Sequence, residues 1–220
     1  MLKNRINDAK IWLQQHKGKT NESARLKINK RNQRRLKNHN FSLISSNCNG
    51  AFILHDLGVR FNSPFVNLWM KPKDFLKMLS DLMGYMSEEL TFVQEDGIDY
   101  PIGLLRDVRV YFTHYASEEN AKIKWDERKS RINYVNLFVI FSDRDGCTID
   151  DLEQFDKLSY NKVVFTNKPY ANLKSSFYLK GFENQESVGL CYEYQPNHLG
   201  RKYYDQFDYV TWFNKNKHDF

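Results

Sequence analysis

Cysteine and proline are scarce in this chain. Its three cysteines, Cys48, Cys147 and Cys191, stand far apart and include no Cys-x-x-Cys pair. An odd number at such spacings is neither a disulfide framework nor a zinc site, and it fits a reducing cytoplasm. No apolar run reaches the ~18 residues of a membrane span. The opening Met1-Leu-Lys-Asn-Arg has no apolar core of a secretory signal. Gly-x-Gly-x-x-Gly, P-loop and His-Glu-x-x-His signatures are all missing, which removes the usual nucleotide and metalloprotease motifs. Proline is limited to five residues while aromatics abound, a composition that folds rather than stays disordered. At 220 residues the chain is long enough for one domain with a sizeable core.

The formal net charge of +6 is unevenly placed. Residues 1–40 hold twelve Lys/Arg against two acids, whereas the remaining 180 hold 21 against 25. The basicity therefore belongs to an N-terminal arm (1–40), and residues 41–220 form a single, mildly acidic domain. Within the arm, residues 4–15 and 22–37 read as helices, the second with a thin apolar stripe and a broad basic face. Such a face suits anionic lipid headgroups. Nucleic acid fits less well, because no aromatic side chain interleaves the cations between residues 13 and 40. A solvated charged helix would carry the same pattern.

Apolar periodicity places a buried strand at 41–45, a helix at about 50–57 ended by Gly58, and an amphipathic helix opened by Pro72 and running through Met86. Phe75, Leu76, Leu79, Leu82, Met83 and Met86 form its core face. Strand fragments at 90–94 and 99–104 flank the Glu95-Asp-Gly97 turn, and 107–114 alternates with Val108, Val110 and Phe112 on one side. Ser117 caps a helix over 118–132, and Thr148 with Asp151 caps the next. Residues 136–141 are continuously apolar, as a central strand covered on both faces should be. Further strands fall at 163–166, 176–179 and 188–192. Strands alternating with helices give an α/β fold: a mixed, partly parallel sheet with helices on both faces, an antiparallel edge from 90–112, and the basic helical arm in front.

Three polar groups follow apolar strands, where ligands of open α/β sheets bind. They are Ser46-Asn47-Cys48-Asn49, Thr113-His114 and Ser142-Asp143-Arg144-Asp145-Gly146. Cys48 sits at a strand-to-helix turn, where backbone N–H groups and the helix dipole favour a thiolate or hold an oxyanion. A buried cysteine that only fills the core explains the same residue. His114 is the candidate base, with His55 as second choice, and Asp143 or Asp145 could orient the imidazole. Alternatively Asp143 and Asp145 hold a divalent metal on a nucleotide diphosphate, or are simply turn residues. The aromatic C-terminal stretch, Tyr192 to Phe213, fits packing better than sugar binding.

Several segments, in order, resemble one family: Ser45-Ser-Asn-Cys-Asn-Gly50, Asn62-Ser-Pro64, Tyr100-Pro-Ile-Gly103, His114-Tyr-x-Ser117, Trp125-x-x-Arg128-x-x-Arg131-Ile-Asn133, Phe141-Ser-Asp-Arg-Asp-Gly-Cys147-Thr and Asn167-Lys-Pro-Tyr170. The chain is similar to a bacterial exopolysaccharide-biosynthesis family labelled only as a domain of unknown function. The likeness runs from Phe41 to Leu179 and continues in 207–214. Members usually carry Trp after the Asn-Cys pair, where this chain has Asn49. The resemblance implies a protein that works with capsule, exopolysaccharide or lipopolysaccharide machinery, in the cytoplasm or on the inner face of the cell membrane.

On that basis the first expectation is a transferase moving an acyl group, from a donor such as acyl-CoA, to a glycan or lipid-linked glycan hydroxyl. Cys48, His114 and Asp143 would be its catalytic residues, and Ser46, Asn47, Asn49, Ser142, Arg144 and Asp145 would bind substrate. A metal-dependent nucleotide-sugar glycosyltransferase and a non-catalytic partner of the assembly machinery are the alternatives. No resident metal is expected under the first reading. Peripheral contact with anionic membrane is expected through residues 1–40.

Overall fold

The computed structural model describes the backbone of residues 2–215, with the side chains of the first helix described from residue 20 onward. That helix, α1 (Leu2–Arg35), is continuous where two helices are expected. Gly18 lies inside it; a lone glycine costs a helix about 1 kcal/mol but leaves its hydrogen bonds intact. The arm's cations before residue 20 lie outside the described side chains.

The main sheet holds β1 (Ser42–Ser45), β5 (Leu137–Ser142), β6 (Asn161–Thr166) and β7 (Ser176–Tyr178), all parallel, in the order β1-β5-β6-β7. β5 is buried along its whole length, and its side chains alternate between two cores. Val139 and Phe141 join one, Phe138 and Ile140 the other. The first core packs under α3 (Pro72–Ser80), α4 (Leu82–Ser87), α5 (Glu118–Lys129) and α6 (Ile149–Lys157). The second packs under α2 (Asn49–Asp56), the end of α1 and the C-terminal aromatics of α7 (Tyr209–Asn214). The fold is therefore α/β with helices on both faces, and the aromatic C-terminus packs: Tyr204, Tyr209 and Phe213 are buried.

Four details differ from the sequence reading. The 90–112 region is not an edge of the main sheet but a separate antiparallel sheet, β2 (Thr91–Val93), β3 (Ile102–Leu105) and β4 (Val108–Tyr111). The helix expected through Met86 breaks at Asp81, whose carboxylate accepts from Gly84 N at 3.2 Å and starts α4 afresh. The break shifts the helical phase, so Met83 is exposed instead of core. Residues 188–192 are irregular, because their backbone bonds go to turns and to a loop near Tyr203–Tyr204 rather than to a strand partner.

The sequence divides at residue 40, yet the packing does not. Arg25, Asn29, Asn32 and Leu36, at helical spacing, turn one face of α1 onto the body. Arg25 pairs with Asp56 at 2.6 Å and with Asp205, Asn32 donates to the Tyr209 hydroxyl at 3.0 Å, and Leu36 enters the second core. Among the described residues, no helix is long and apolar enough to cross a membrane.

Candidate functional site

A cavity of about 250 Å³ opens at the carboxyl ends of β1 and β5, lined by Asn47, Cys48, Asn49, Trp69, Arg144, Asp145, Leu190 and Tyr192. Five of these eight come from the two polar loops that follow those strands. The loops meet because β1 and β5 are parallel neighbours, with Ser45 opposite Ile140. Asn47 Nδ2 donates to Ser142 Oγ at 2.9 Å and ties one loop to the other. Asn47 Oδ1 accepts from Asn49 N at 3.1 Å, closing a tight turn into α2. Gly50 follows because nothing larger fits: a Cβ there would stand 2.7 Å from Ser45 Cβ and 3.3 Å from Leu43 Cδ2. The close approach presses the amino end of α2 against the end of β1.

Cys48 occupies that amino end but does not behave as a thiolate. Burial pushes its thiol pKa up, and the nearby Arg144 charge only partly offsets this. Its Sγ points to the Leu68 carbonyl at 3.9 Å. Asn49 is 3% exposed, and its side-chain nitrogen finds no oxygen or nitrogen acceptor. The Cys191 sulfur, a weak acceptor, lies within reach of the Asn49 side chain.

Arg144 is half-buried, donates to the Gly189 carbonyl at 3.2 Å, and has no carboxylate within ion-pair distance among the described residues. Asp145 stands beside it with φ of +61°. An Asp-Gly turn tolerates that left-handed backbone, and Asp145 is exposed. Two aromatic rings complete the cavity. Trp69 stacks on Tyr111 at 4.3 Å, and Tyr192 stacks on Phe52 at 4.2 Å.

Among the described residues no hydrogen bond joins Cys48, His114 and Asp143 to one another. Asp143 is buried and spends its two oxygens on backbone amides, Asn167 N and Val188 N, each at 2.7 Å. Burial still leaves its pKa above the ordinary carboxylate value. Each oxygen accepts one backbone amide, so Asp143 holds these loops together, and among the described residues no hydrogen bond joins it to a histidine. His114 is exposed in the β4–α5 connection and does not line the cavity. Its neighbour Tyr115 is the one that turns inward, accepting from Arg128 at 2.7 Å and donating to the Val66 carbonyl at 3.0 Å. His55 is also exposed, on α2. Ser46 is buried, and its backbone amide and carbonyl are used by Ile140 O and Met70 N, so its part is to join strands. Among the described residues no three His, Cys, Asp or Glu side chains cluster as a metal site.

Trp69, Leu190 and Tyr192 are the lining residues that the sequence reading misses. Trp69 arrives through an isolated bridge to Tyr111, and Leu190 and Tyr192 through the irregular 188–192 segment. None carries a periodic signal.

A family model described as "Domain of unknown function (DUF1919)" matches residues 19–214. The chain belongs to this family. The match begins inside α1 and ends in α7, so it takes in the α1 face that packs on the body as well as both loops of the cavity. The chain is also 50% identical over 202 residues to a Haemophilus influenzae protein described as "Uncharacterized protein", which covers 91% of this chain and 97% of the relative.

Proposed function

We propose that this protein is a transferase of bacterial surface-glycan assembly that holds a phosphorylated sugar donor in the cavity at the ends of β1 and β5. The observation that carries the reading is Arg144: a half-buried guanidinium without a carboxylate partner, beside the amino end of α2, at the mouth of a cavity walled by Trp69 and Tyr192. A guanidinium and a helix amino end together favour a phosphate, and aromatic faces suit a sugar ring. The cavity is smaller than the ~300–1,000 Å³ of drug-sized sites, so one ring and its phosphoryl group fill it and the rest of the donor extends outward. Asp145 is the one carboxylate in the lining and is placed to take the proton of an acceptor hydroxyl. Arg144 offsets the donor's charge at the mouth of the cavity.

Acyl transfer through Cys48 has less support, because burial disfavours its thiolate and no hydrogen bond links it to His114 or Asp143 among the described residues. The exopolysaccharide context comes from the resemblance of the sequence motifs. Thermal-shift titration against nucleoside-diphosphate sugars and against acetyl-CoA tests the reading. A nucleotide sugar is expected to stabilise the protein, Arg144→Gln to abolish the shift and Cys48→Ala to keep it. A shift by acetyl-CoA that survives Arg144→Gln, or loss of transfer in Cys48→Ala, overturns it in favour of acyl transfer. Silence with every donor favours the non-catalytic partner.

A further inference from the structure

Docking of α1 on the body has a consequence for its other face. Arg25, Asn32 and Leu36 are 4–5% exposed, which fixes the rotation of the helix. At 100° per residue, Lys27, Lys30 and Arg34 then share the opposite side, and all three are exposed, as is Lys37 just past the end of the helix. None has an ion-pair partner among the described residues. Leu26, 62% exposed, stands one turn before Lys30 on the same flank. Gln33, on that flank too, borders a groove of about 570 Å³ whose floor includes Phe41, Leu57 and Phe61 and whose rim includes Arg60. Glu127, 3.8 Å from Arg60, is the acid that faces that rim.

We infer that this face of α1, with the groove beside it, is a docking surface for an anionic phospholipid membrane. Charge complementarity commits the face to an anionic partner: three unpaired cations lie on one helical stripe with Lys37 just past its end, while residues 41–220 carry a net acidic balance of 21 Lys/Arg against 25 Asp/Glu. Lipid is favoured over nucleic acid by the neighbours of the cations. An exposed leucine, and a groove lined in part by Val59 and Phe61, suit insertion at the headgroup boundary, and no aromatic ring on the stripe offers a base a stacking platform. Because α1 is clamped to the body, the surface presents its cations in one plane without a separate ordering step.

The test uses the full chain with vesicles of equal parts phosphatidylglycerol and phosphatidylcholine, vesicles of phosphatidylcholine alone, and a short duplex DNA, all at low salt. Wild type is expected to sediment with the anionic vesicles only. The combined Lys27→Gln, Lys30→Gln, Arg34→Gln and Lys37→Gln variant replaces exposed positions with a good helix former and should keep its melting temperature. Its partition is expected to fall by roughly 100-fold or more. Leu26→Asn should weaken vesicle binding and leave any residual DNA binding unchanged. The inference is overturned by wild type that ignores anionic vesicles, by equal partition of wild type and the quadruple variant, or by tighter binding to DNA than to vesicles.

Discussion

Arg25 on α1 and Asp56 at the end of α2 meet at 2.6 Å with both side chains 5% exposed. The pair sits within a buried polar cluster. Asp56 also receives the Tyr204 hydroxyl, Lys202 Nζ at 3.1 Å and Asn29 Nδ2 at 3.0 Å, and Arg25 also reaches Asp205. With the Asn32–Tyr209 bond and Leu36 in the second core, this cluster docks a basic helix on the domain. The cluster extends toward the cavity: Lys202 lies over the Phe52 ring at 5.3 Å, and Phe52 stacks under the cavity's Tyr192.

Removing one partner should therefore be costly. Arg25→Met leaves Asp56 short of its main counter-charge, and breaking a buried pair typically costs about 3–5 kcal/mol. Urea denaturation is expected to show that loss in Arg25→Met and a smaller one in Asp56→Asn, which keeps some acceptor capacity. The pH dependence has a definite sign. Burial alone would raise the Asp56 pKa, but the Tyr204 hydroxyl, Arg25 and Lys202 outweigh it and hold the pKa below the ordinary value. Its stabilisation is full above the unfolded carboxylate pKa of ~3.9 and fades as pH falls below that toward the folded value. Wild type should converge on Asp56→Asn in that acid window; parallel curves down to low pH would show the pair contributes nothing.

The glycine at the start of α2 gives a sharper packing test. Gly50→Ala puts a methyl 2.7 Å from Ser45 Cβ in a junction that cannot open without moving the helix. Overpacking of this kind costs about 1–3 kcal/mol. Ser45→Gly in the same chain removes the clashing atom, so the double variant should recover most of the loss and the donor-induced thermal shift along with it. No recovery would place the strain elsewhere.

How much was legible follows from what each residue's signal is. The Ser117 cap and the Thr148–Asp151 capping box are local patterns, and both are present with their hydrogen bonds. The two loops that build the cavity were legible from one rule, that polar residues after parallel strands gather at one end of a sheet; Asn47, Cys48, Asn49, Arg144 and Asp145 do so. Its limit is visible in His114, which follows β4. That strand belongs to the second sheet; Tyr111 at its end supports the cavity's Trp69, while His114, three residues on, is exposed and does not line the cavity. Arg25 was illegible because its partners lie 31 and 180 positions away and an arginine in a basic run looks solvated. Trp69 and Tyr192 were illegible because irregular segments place them.

Asp143 tests whether the 143–191 loops are held by one carboxylate. Asp143→Asn keeps the shape but replaces one of two acceptor oxygens with a donor, facing a backbone N–H. An unsatisfied buried group costs about 1–3 kcal/mol. Hydrogen exchange should quicken at Asn167 and Val188, and donor affinity should drop because Arg144 and Tyr192 ride on those loops. Normal protection with full loss of turnover would instead return Asp143 to a catalytic role.

The last prediction separates the two chemical readings through cysteine reactivity. Only the thiolate is nucleophilic. Burial raises the pKa of all three thiols. Around Cys147 the carboxylates of Asp151, Asp143 and Asp145 add to the effect and bring it to about 12, and burial brings Cys191 to about 12 as well. Arg144 pulls the thiols of both Cys48 and Cys191 back toward the ordinary value, but Cys48 is only half-buried whereas Cys191 is fully buried. At neutral pH iodoacetamide should therefore label the native protein slowly. As pH rises, Cys48 should react first, since it meets its thiolate form before the other two. Arg144→Gln removes the offsetting charge, so the onset of Cys48 labelling should move to higher pH; peptide mapping by mass spectrometry reads both the site and the rate. Rapid labelling of Cys48 at neutral pH, unchanged by Arg144→Gln, would mean that something other than Arg144 stabilises a thiolate there, and it would restore Cys48 as the nucleophile of an acyl transfer.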